Sequence, residues 1–150
     1  MKKIIALYGA GNRGKSTTLK MVYQSLSRSF ELLPEKNVRP DEHGAYCLNE
    51  RYDIRVIFIV NGVRVGLESQ GDPNSRLEDS LHFFRDNKCR LIVCPTRTWG
   101  GTVKCVERLK PEFEVEWMKK TVADDESSQA VCNKADATKL IRLIKAFTQS

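Results

Sequence analysis

The chain has 150 residues, of which 41% are hydrophobic and 29% are charged, so it can form a hydrophobic core and is neither collagen-like nor compositionally disordered. This length predicts one domain over residues 1–150. The 25 Lys and Arg residues outnumber the 19 Asp and Glu residues, which gives a formal net charge of +6. Because the two signs are interspersed along the chain, a nucleic-acid partner is not favoured.

The composition indicates neither a membrane-spanning segment nor a protein of an oxidising compartment. The apolar runs are only a few residues long, far short of the ~20 residues that a membrane-spanning helix needs. The five cysteines are odd in number and contain no C-x-x-C pair, which fits neither a disulfide framework nor a structural zinc site. We therefore expect a cytoplasmic protein with no membrane partner.

The predicted elements begin with a strand over residues 2–8, followed by a glycine-rich turn and a helix whose apolar residues recur at helical spacing up to Phe30. Residues 31–52 contain two prolines, a glycine and many charges without a clear period, which predicts a long loop. Residues 53–60 and 63–68 are rich in β-branched side chains and are joined by an Asn-Gly dipeptide. That pattern predicts a β-hairpin.

The second half of the chain continues the alternation of helices and strands. Ser75 and Glu78 form a capping-box pattern, which predicts a helix that begins near Ser75. The later pattern predicts a short strand over 90–94, a helical segment over 102–109, a strand over 113–122 and an amphipathic helix from Ala137. This order predicts an α/β fold with a mostly parallel five-stranded sheet, in which the hairpin contributes one antiparallel strand.

A phosphate-binding motif follows the first predicted strand. Residues 9–16 read G-A-G-N-R-G-K-S and match G-x-x-x-x-G-K-[ST] in full, just before a predicted helix. The glycines let successive backbone N–H groups approach phosphate oxygens, and the helix N-terminus adds the positive end of its dipole. Lys15 offers an ammonium group to the β- and γ-phosphates, and the Ser16 hydroxyl is suited to bind Mg²⁺. The residues assigned here to nucleotide binding are Gly9, Ala10, Gly11, Asn12, Arg13, Gly14, Lys15, Ser16 and Thr17.

With this motif in this context, residues 2–109 resemble the P-loop NTPase superfamily, which implies a three-layer fold with a GTPase-like core. In that superfamily a strand parallel to the first ends in an acidic residue that holds Mg²⁺, and the candidate here is Glu68. The resemblance also implies that the strand over residues 63–67 lies beside the first strand. Glu68-Ser69-Gln70-Gly71 looks like the D-x-x-G element of the GTPase-like branch, with Glu in place of Asp. The resemblance thus gives Glu68 a catalytic and a metal-binding role, and it assigns the Gly71 N–H to the γ-phosphate. The alternative is that this segment is only a polar turn after a strand. If Glu68 lies too far from Ser16, the acidic role passes to Asp72 or Asp53.

Two further residues are catalytic candidates beside Lys15 and Glu68. Asp72 either orients a water or an acceptor hydroxyl, or belongs to a simple Asp-Pro turn. Arg97 follows the fourth predicted strand at the same sheet edge, where it either stabilises charge on the phosphoryl group or faces solvent. Next to it, Trp99 precedes two glycines and either stacks on a base or packs on the core.

One motif bears on which nucleotide base the protein binds. Residues 133–136 spell N-K-x-D, the guanine-reading motif of GTPases. This string opens the last predicted helix, where Asn and Asp are favoured as caps, so it is interpreted as a helix cap. In addition, residues 31–51 contain no Ser or Thr that could complete a magnesium shell as in GTPases. We therefore expect ATP rather than GTP as the nucleotide, together with Mg²⁺.

The sequence favours Mg²⁺-dependent binding and hydrolysis of a nucleoside triphosphate, and two alternatives stay open. The first is a slow, nucleotide-dependent interaction module that binds a protein or nucleic-acid partner; the small size of the chain favours it. The second is a small nucleotide or metabolite kinase. The chain has no closely spaced arginines after the fourth predicted strand that could form a lid, which argues against the kinase.

Overall fold

The computed structural model describes residues 1–11, 14–33, 53–72 and 76–149. Over these residues the chain forms six strands and four helices. In chain order they are β1 (Lys3–Tyr8), α1 (Lys15–Ser27), β2 (Glu31–Leu32), β3 (Arg55–Val60), β4 (Val63–Glu68), α2 (Leu77–Asp86), β5 (Leu91–Thr96), α3 (Gly101–Glu107), β6 (Glu114–Lys119) and α4 (Glu126–Gln149). No helix in the described part is both long and apolar enough to cross a membrane.

The strands form one mixed sheet in the order β2-β3-β4-β5-β1-β6. β1 runs parallel to β5 and β6, and β4 runs parallel to β5, whereas β3 is antiparallel to both β2 and β4. The predicted α/β class is therefore confirmed, but the sheet has six strands rather than five. It is also only partly parallel and not mostly parallel as predicted, since two of its five strand pairings are antiparallel. The extra strand arises because Glu31 and Leu32 pair with Ile59 and Phe58, within a segment predicted to be loop.

The position of β4 is a second correction. The GTPase-like expectation put the strand over residues 63–67 beside the first strand, but β5 lies between β4 and β1. Every residue of β5 is buried, as expected for a strand covered on both faces of a sheet. The residues that come closest to the end of β1 are therefore those that end β5 and β6, rather than those that end β4.

The predicted hairpin is confirmed. β3 and β4 pair in the register Val60↔Val63, and the two turn residues have φ values of 51° at Asn61 and 78° at Gly62. Positive φ at both central residues is the requirement of a type I′ turn, and Asn-Gly satisfies it with little strain. The antiparallel pairing also brings the start of β3 to the edge of the sheet where β4 ends.

Alternate side chains of the central strands face opposite sides of the sheet and belong to two separate hydrophobic cores. On one face, Ile5 and Leu7 of β1 pack with the apolar sides of α1 and α4. On the other face, Ile4 and Ala6 pack with α2 and α3. On β4, a Cβ at Gly66 would lie only 2.5 Å from the ring of Phe84, so α2 approaches this strand very closely. The even-numbered residues of β4 thus face α2.

The last helix is longer than predicted. α4 begins at Glu126 and not at Ala137, because Asp125 supplies the cap: its carboxylate accepts a 2.7 Å hydrogen bond from the backbone N–H of Ser128. The first turns of α4 are mostly exposed and carry no apolar period, so the hydrophobic pattern indicated only the second half. Asn133 therefore lies inside the helix, and its interpretation as a cap is wrong. Ser75, part of the other predicted cap, lies outside the described residues.

Candidate functional site

The glycine-rich motif forms the connection from β1 to α1. Gly14 precedes the first helical residue and has a φ of 83°, in the left-handed region that favours glycine. A side chain at Gly14 would also collide with the amide group of Asn133 on α4. The Gly14 carbonyl accepts hydrogen bonds from the backbone N–H and the hydroxyl of Thr18, which fixes the first turn of α1. Asn12 and Arg13 lie outside the described residues.

Lys15 turns inward at the start of α1. Its Nζ donates to the Gly9 carbonyl at 2.5 Å and to the Thr96 carbonyl at 2.6 Å, between the ends of β1 and β5. The pKa of Lys15 is lowered to about 8, first by burial and then by the nearby positive charge of Arg97, while Asp72 acts in the opposite direction. The ammonium group is thus held at the sheet edge with most of its hydration removed.

The Asp53 carboxylate contacts Ser16, the residue that follows Lys15 in the motif. The Ser16 hydroxyl donates to Asp53 Oδ1 at 2.9 Å, and the Ser69 hydroxyl donates to the same oxygen at 2.8 Å. Ser69 is itself held by the backbone N–H of Ile54, which donates to its Oγ at 2.8 Å. The start of α1 and the residue after β4 therefore converge on one carboxylate oxygen of the segment that leads into β3.

Asp53 is not among the site residues predicted from the sequence; it starts a hairpin strand there and is, with Asp72, only the alternative acid if Glu68 lies too far from Ser16. The missed signal lies in the hairpin itself. β3 begins at the edge where β4 ends, since Arg55 pairs with Glu68. An acidic residue just before β3 therefore lies at the same edge as the glycine-rich motif.

These side chains border a cavity of about 260 Å³ at the carboxyl ends of the parallel strands. Its lining residues are Gly14, Lys15, Ser16, Thr17, Asp53, Ser69, Gln70, Gly71, Asp72 and Pro95. Gly71 is packed against the chain that ends β5, and a Cβ at this position would lie 2.6 Å from the Pro95 carbonyl carbon. The cavity is mostly polar and has a cation on one wall and two carboxylates on the others.

Glu68 does not lie in this cavity, so its predicted catalytic and metal-binding role does not fit the geometry. Its side chain is fully buried and faces α2, because it shares the orientation of Gly66 on β4. The carboxylate accepts hydrogen bonds from Arg76 Nε at 2.8 Å, Arg76 Nη2 at 3.0 Å and the Ser80 hydroxyl at 2.5 Å. Glu68 thus anchors the first turn of α2 to the sheet.

Asp72 and Arg97 lie at the mouth of the cavity as an ion pair. Arg97 Nη2 is 3.1 Å from Asp72 Oδ1, and the Asp72 side chain is 68% exposed. The guanidinium group also lies over the glycine-rich motif, since a Cβ at Gly11 would be 2.8 Å from Arg97 Cζ. Arg97 Nε is buried and has no hydrogen-bond partner among the described residues. The residue at the end of β5 thus contacts the motif directly.

Asp136 of the N-K-x-D string is engaged by other protein groups. Its carboxylate accepts hydrogen bonds from the Thr121 N–H at 2.9 Å and the Thr121 hydroxyl at 2.8 Å, and Lys120 Nζ lies 2.9 Å from Oδ2. Burial alone would raise the pKa of Asp136, but these contacts from Lys120 and Thr121 hold it below its ordinary value. The string therefore joins the end of β6 to α4, and both Asp136 oxygens are occupied.

Comparisons of the chain with protein-family models, with curated proteins and with solved structures find no match. A function is therefore inferred only from the residues and geometry of the cavity itself.

Proposed function

We propose that this chain is a P-loop NTPase that binds a nucleoside triphosphate together with Mg²⁺, ATP in preference to GTP, and hydrolyses its terminal phosphate. One observation carries the proposal: Lys15, Ser16 and Asp53 line a single cavity of about 260 Å³, directly where β1 turns through the glycine-rich motif into α1. A cation, a hydroxyl and a carboxylate in that arrangement suit a magnesium-bound polyphosphate.

The phosphates would be held by the start of α1. Backbone N–H groups at a helix N-terminus have no partner within the helix, and they carry the positive end of its dipole. Lys15 adds a full charge at the same point. Its ammonium group now donates to two backbone carbonyls, and its lowered pKa shows that burial disfavours this charge. An anionic ligand beside Lys15 would relieve that cost, which favours triphosphate binding.

The residues around Asp53 fit a magnesium ion. The Ser16 hydroxyl and the Asp53 carboxylate are hard oxygen ligands, and Mg²⁺ commonly uses one or two protein oxygens together with waters and substrate phosphates. When bound, the ion would polarise the phosphate oxygens and neutralise developing charge. Asp53 now accepts hydrogen bonds from two hydroxyls, which orient its carboxylate toward Ser16. The metal-binding role proposed from sequence for Glu68 thus passes to Asp53.

Arg97 and Asp72 would act on the terminal phosphate. The Arg97 guanidinium lies over Gly11 of the motif, where a fixed positive charge stabilises the transition state of phosphoryl transfer. Asp72 is the exposed carboxylate of the cavity, which suits an acid that orients the attacking water.

The fold supports the superfamily but not the GTPase-like branch. Helices α1 and α4 share one core and α2 and α3 share the other, which is consistent with a three-layer P-loop architecture. β5 separates β1 from β4, unlike the expected GTPase-like order. Because Asp136 is already paired with Lys120 and Thr121, it is not available to read guanine, and this favours ATP.

The test is calorimetric titration of ATP and GTP, with and without Mg²⁺, followed by phosphate-release assays. Lys15→Ala should weaken ATP binding by about tenfold or more, since charged hydrogen bonds contribute about 1.5–3 kcal/mol each. Asp53→Asn should still bind ATP but lose the enhancement by Mg²⁺. Asp72→Asn, a matched change in the same cavity, should keep that enhancement and release phosphate more slowly. Unchanged ATP affinity in folded Lys15→Ala would refute the proposal.

A further inference from the structure

A second cavity lies on the other side of Arg97. It has a volume of about 240 Å³ and is bordered by Tyr8, Arg97, Thr98, Val103, Glu107 and Trp117. We call it the aromatic cavity. It opens where β1 and β6 end, on the face of the sheet covered by α3, and it shares none of the residues that line the phosphate-binding cavity described above.

We propose that the aromatic cavity binds the base of a second nucleotide, at a site separate from the one proposed for the triphosphate, with Arg97 between the two. The walls suit a planar heterocycle. The rings of Tyr8 and Trp117 meet edge to face, with centroids 6.3 Å apart and planes at 80°, and both side chains are half-buried. Val103 of α3 supplies an aliphatic surface to the same cavity. Bases stack on such side chains in proteins that bind single nucleotides or strands.

The polar groups of the cavity distinguish a nucleotide from a purely apolar aromatic ligand. Thr98 and Glu107 provide a hydroxyl and a carboxylate, which accept hydrogen bonds from amino or ribose hydroxyl groups. Arg97 provides a cation, and its buried Nε is a donor without a partner among the described residues. Its guanidinium also reaches Asp72 at the phosphate-binding cavity. A ligand with its base in the aromatic cavity would therefore direct an anionic group toward Arg97.

The size of the cavity limits the ligand to one ring system inside the protein. At about 240 Å³ it is below the ~300–1,000 Å³ typical of sites that enclose a drug-sized molecule. A heterocyclic base would fill it, and the sugar and phosphate would remain near the rim.

Trp99 gives a second reason to expect a ligand here. It directly follows Thr98 of the cavity wall, and its side chain is 81% exposed, so it does not pack on the core. Gly100 next to it has a φ of 93°, which favours glycine, and an added Cβ would meet nothing within 4 Å. Tryptophan is enriched on surfaces that contact partners, which is consistent with a ligand at this rim.

Adenosine 5′-monophosphate is a suitable probe, because it contains a base and one phosphate but lacks the β- and γ-phosphates that the glycine-rich motif would hold. Binding is measured by calorimetry and by tryptophan fluorescence. We expect saturable binding of adenosine 5′-monophosphate, weaker binding of adenosine, and none of ribose 5-phosphate. Trp117→Leu should weaken binding by about tenfold or more, through loss of stacking.

Two variants keep the test decisive. Because Trp117 also packs against the core, Val103→Trp provides a second change that fills the cavity from α3, and it should abolish binding in a protein with an unchanged circular dichroism spectrum. Lys15→Ala, in contrast, should bind adenosine 5′-monophosphate as the unchanged protein does. Loss of binding in Lys15→Ala but not in Val103→Trp would assign the probe to the glycine-rich motif and overturn the inference. Absence of saturable binding to the unchanged protein would also overturn it, whatever the result with ATP.

Discussion

The substitution Asp136→Asn removes the negative charge from a buried ion pair and leaves the shape of the side chain almost unchanged. In the folded protein the Lys120 side chain is 0% exposed and that of Asp136 is 8% exposed. The amide oxygen of Asn could still accept from Thr121, but Lys120 would keep its charge without a buried counterion. Breaking a buried pair in this way costs about 3–5 kcal/mol. A helix-capping role would cost only about 0.5–2 kcal/mol.

The loss is measured by urea denaturation, which reports the free energy of unfolding directly when the slope stays constant. For a chain of this length each kcal/mol corresponds to about 2–4 °C in Tm, so the expected decrease is roughly 6–20 °C. The pH dependence gives a second readout. The pKa of Asp136 is lower in the folded than in the unfolded state, so its contribution is present above about pH 4 and is lost as the pH falls through the folded-state pKa. Asp136→Asn should lack that part of the acid destabilisation.

The matched control removes both charges. Lys120→Met combined with Asp136→Asn leaves no unpaired ion and keeps an acceptor for Thr121, so the double variant should be more stable than Asp136→Asn alone. The reasoning would be refuted if Asp136→Asn cost less than about 1 kcal/mol, or if the double variant were the less stable of the two. The ratio of ATP to GTP affinity should not change in the folded variant. A shift toward xanthine nucleotides would instead show that Asp136 reads the base.

Two other predictions concern the cavity at the glycine-rich motif. Because the pKa of Lys15 is about 8, ATP affinity should fall above about pH 8 by up to about tenfold per pH unit, as the ammonium group loses its proton; calorimetry that gives a flat profile from about pH 7 to about pH 9 would contradict the buried site. Gly71→Ala should cost about 1–3 kcal/mol in urea denaturation, since its Cβ would overlap the Pro95 carbonyl, whereas Gly101→Ala, where an added Cβ meets nothing within 4 Å, should be neutral or stabilising. Equal effects of the two changes would show that Gly71 is not tightly packed.

The elements with local signals could be predicted from the sequence alone. The strand, glycine-rich turn and helix over residues 2–27 have their pattern within one stretch of chain, and so does the hairpin at Asn61-Gly62. In these segments the turn residues and the side-chain periodicity act over a few positions. The sequence therefore determined the motif residues Lys15 and Ser16, and also that a hairpin follows them. The sequence did not predict the structure of the segment between the first helix and the hairpin. Residues 31–32 were expected to be loop, but they pair with β3 as a short strand.

Which acid lies beside the motif depends on tertiary packing and not on the local sequence. Glu68 and Asp53 lie at the same edge of the sheet, yet Glu68 faces α2 and is paired with Arg76, whereas Asp53 meets Ser16. The face on which a side chain lies depends on strand register and on which helix covers the strand, and both are set by long-range packing. The same holds for Asp136, whose partners at 120–121 lie 15 or more residues away along the chain. Contacts of this kind form only when β6, α4 and the ends of the parallel strands come together. A local sequence pattern therefore cannot predict the partner of a buried charge.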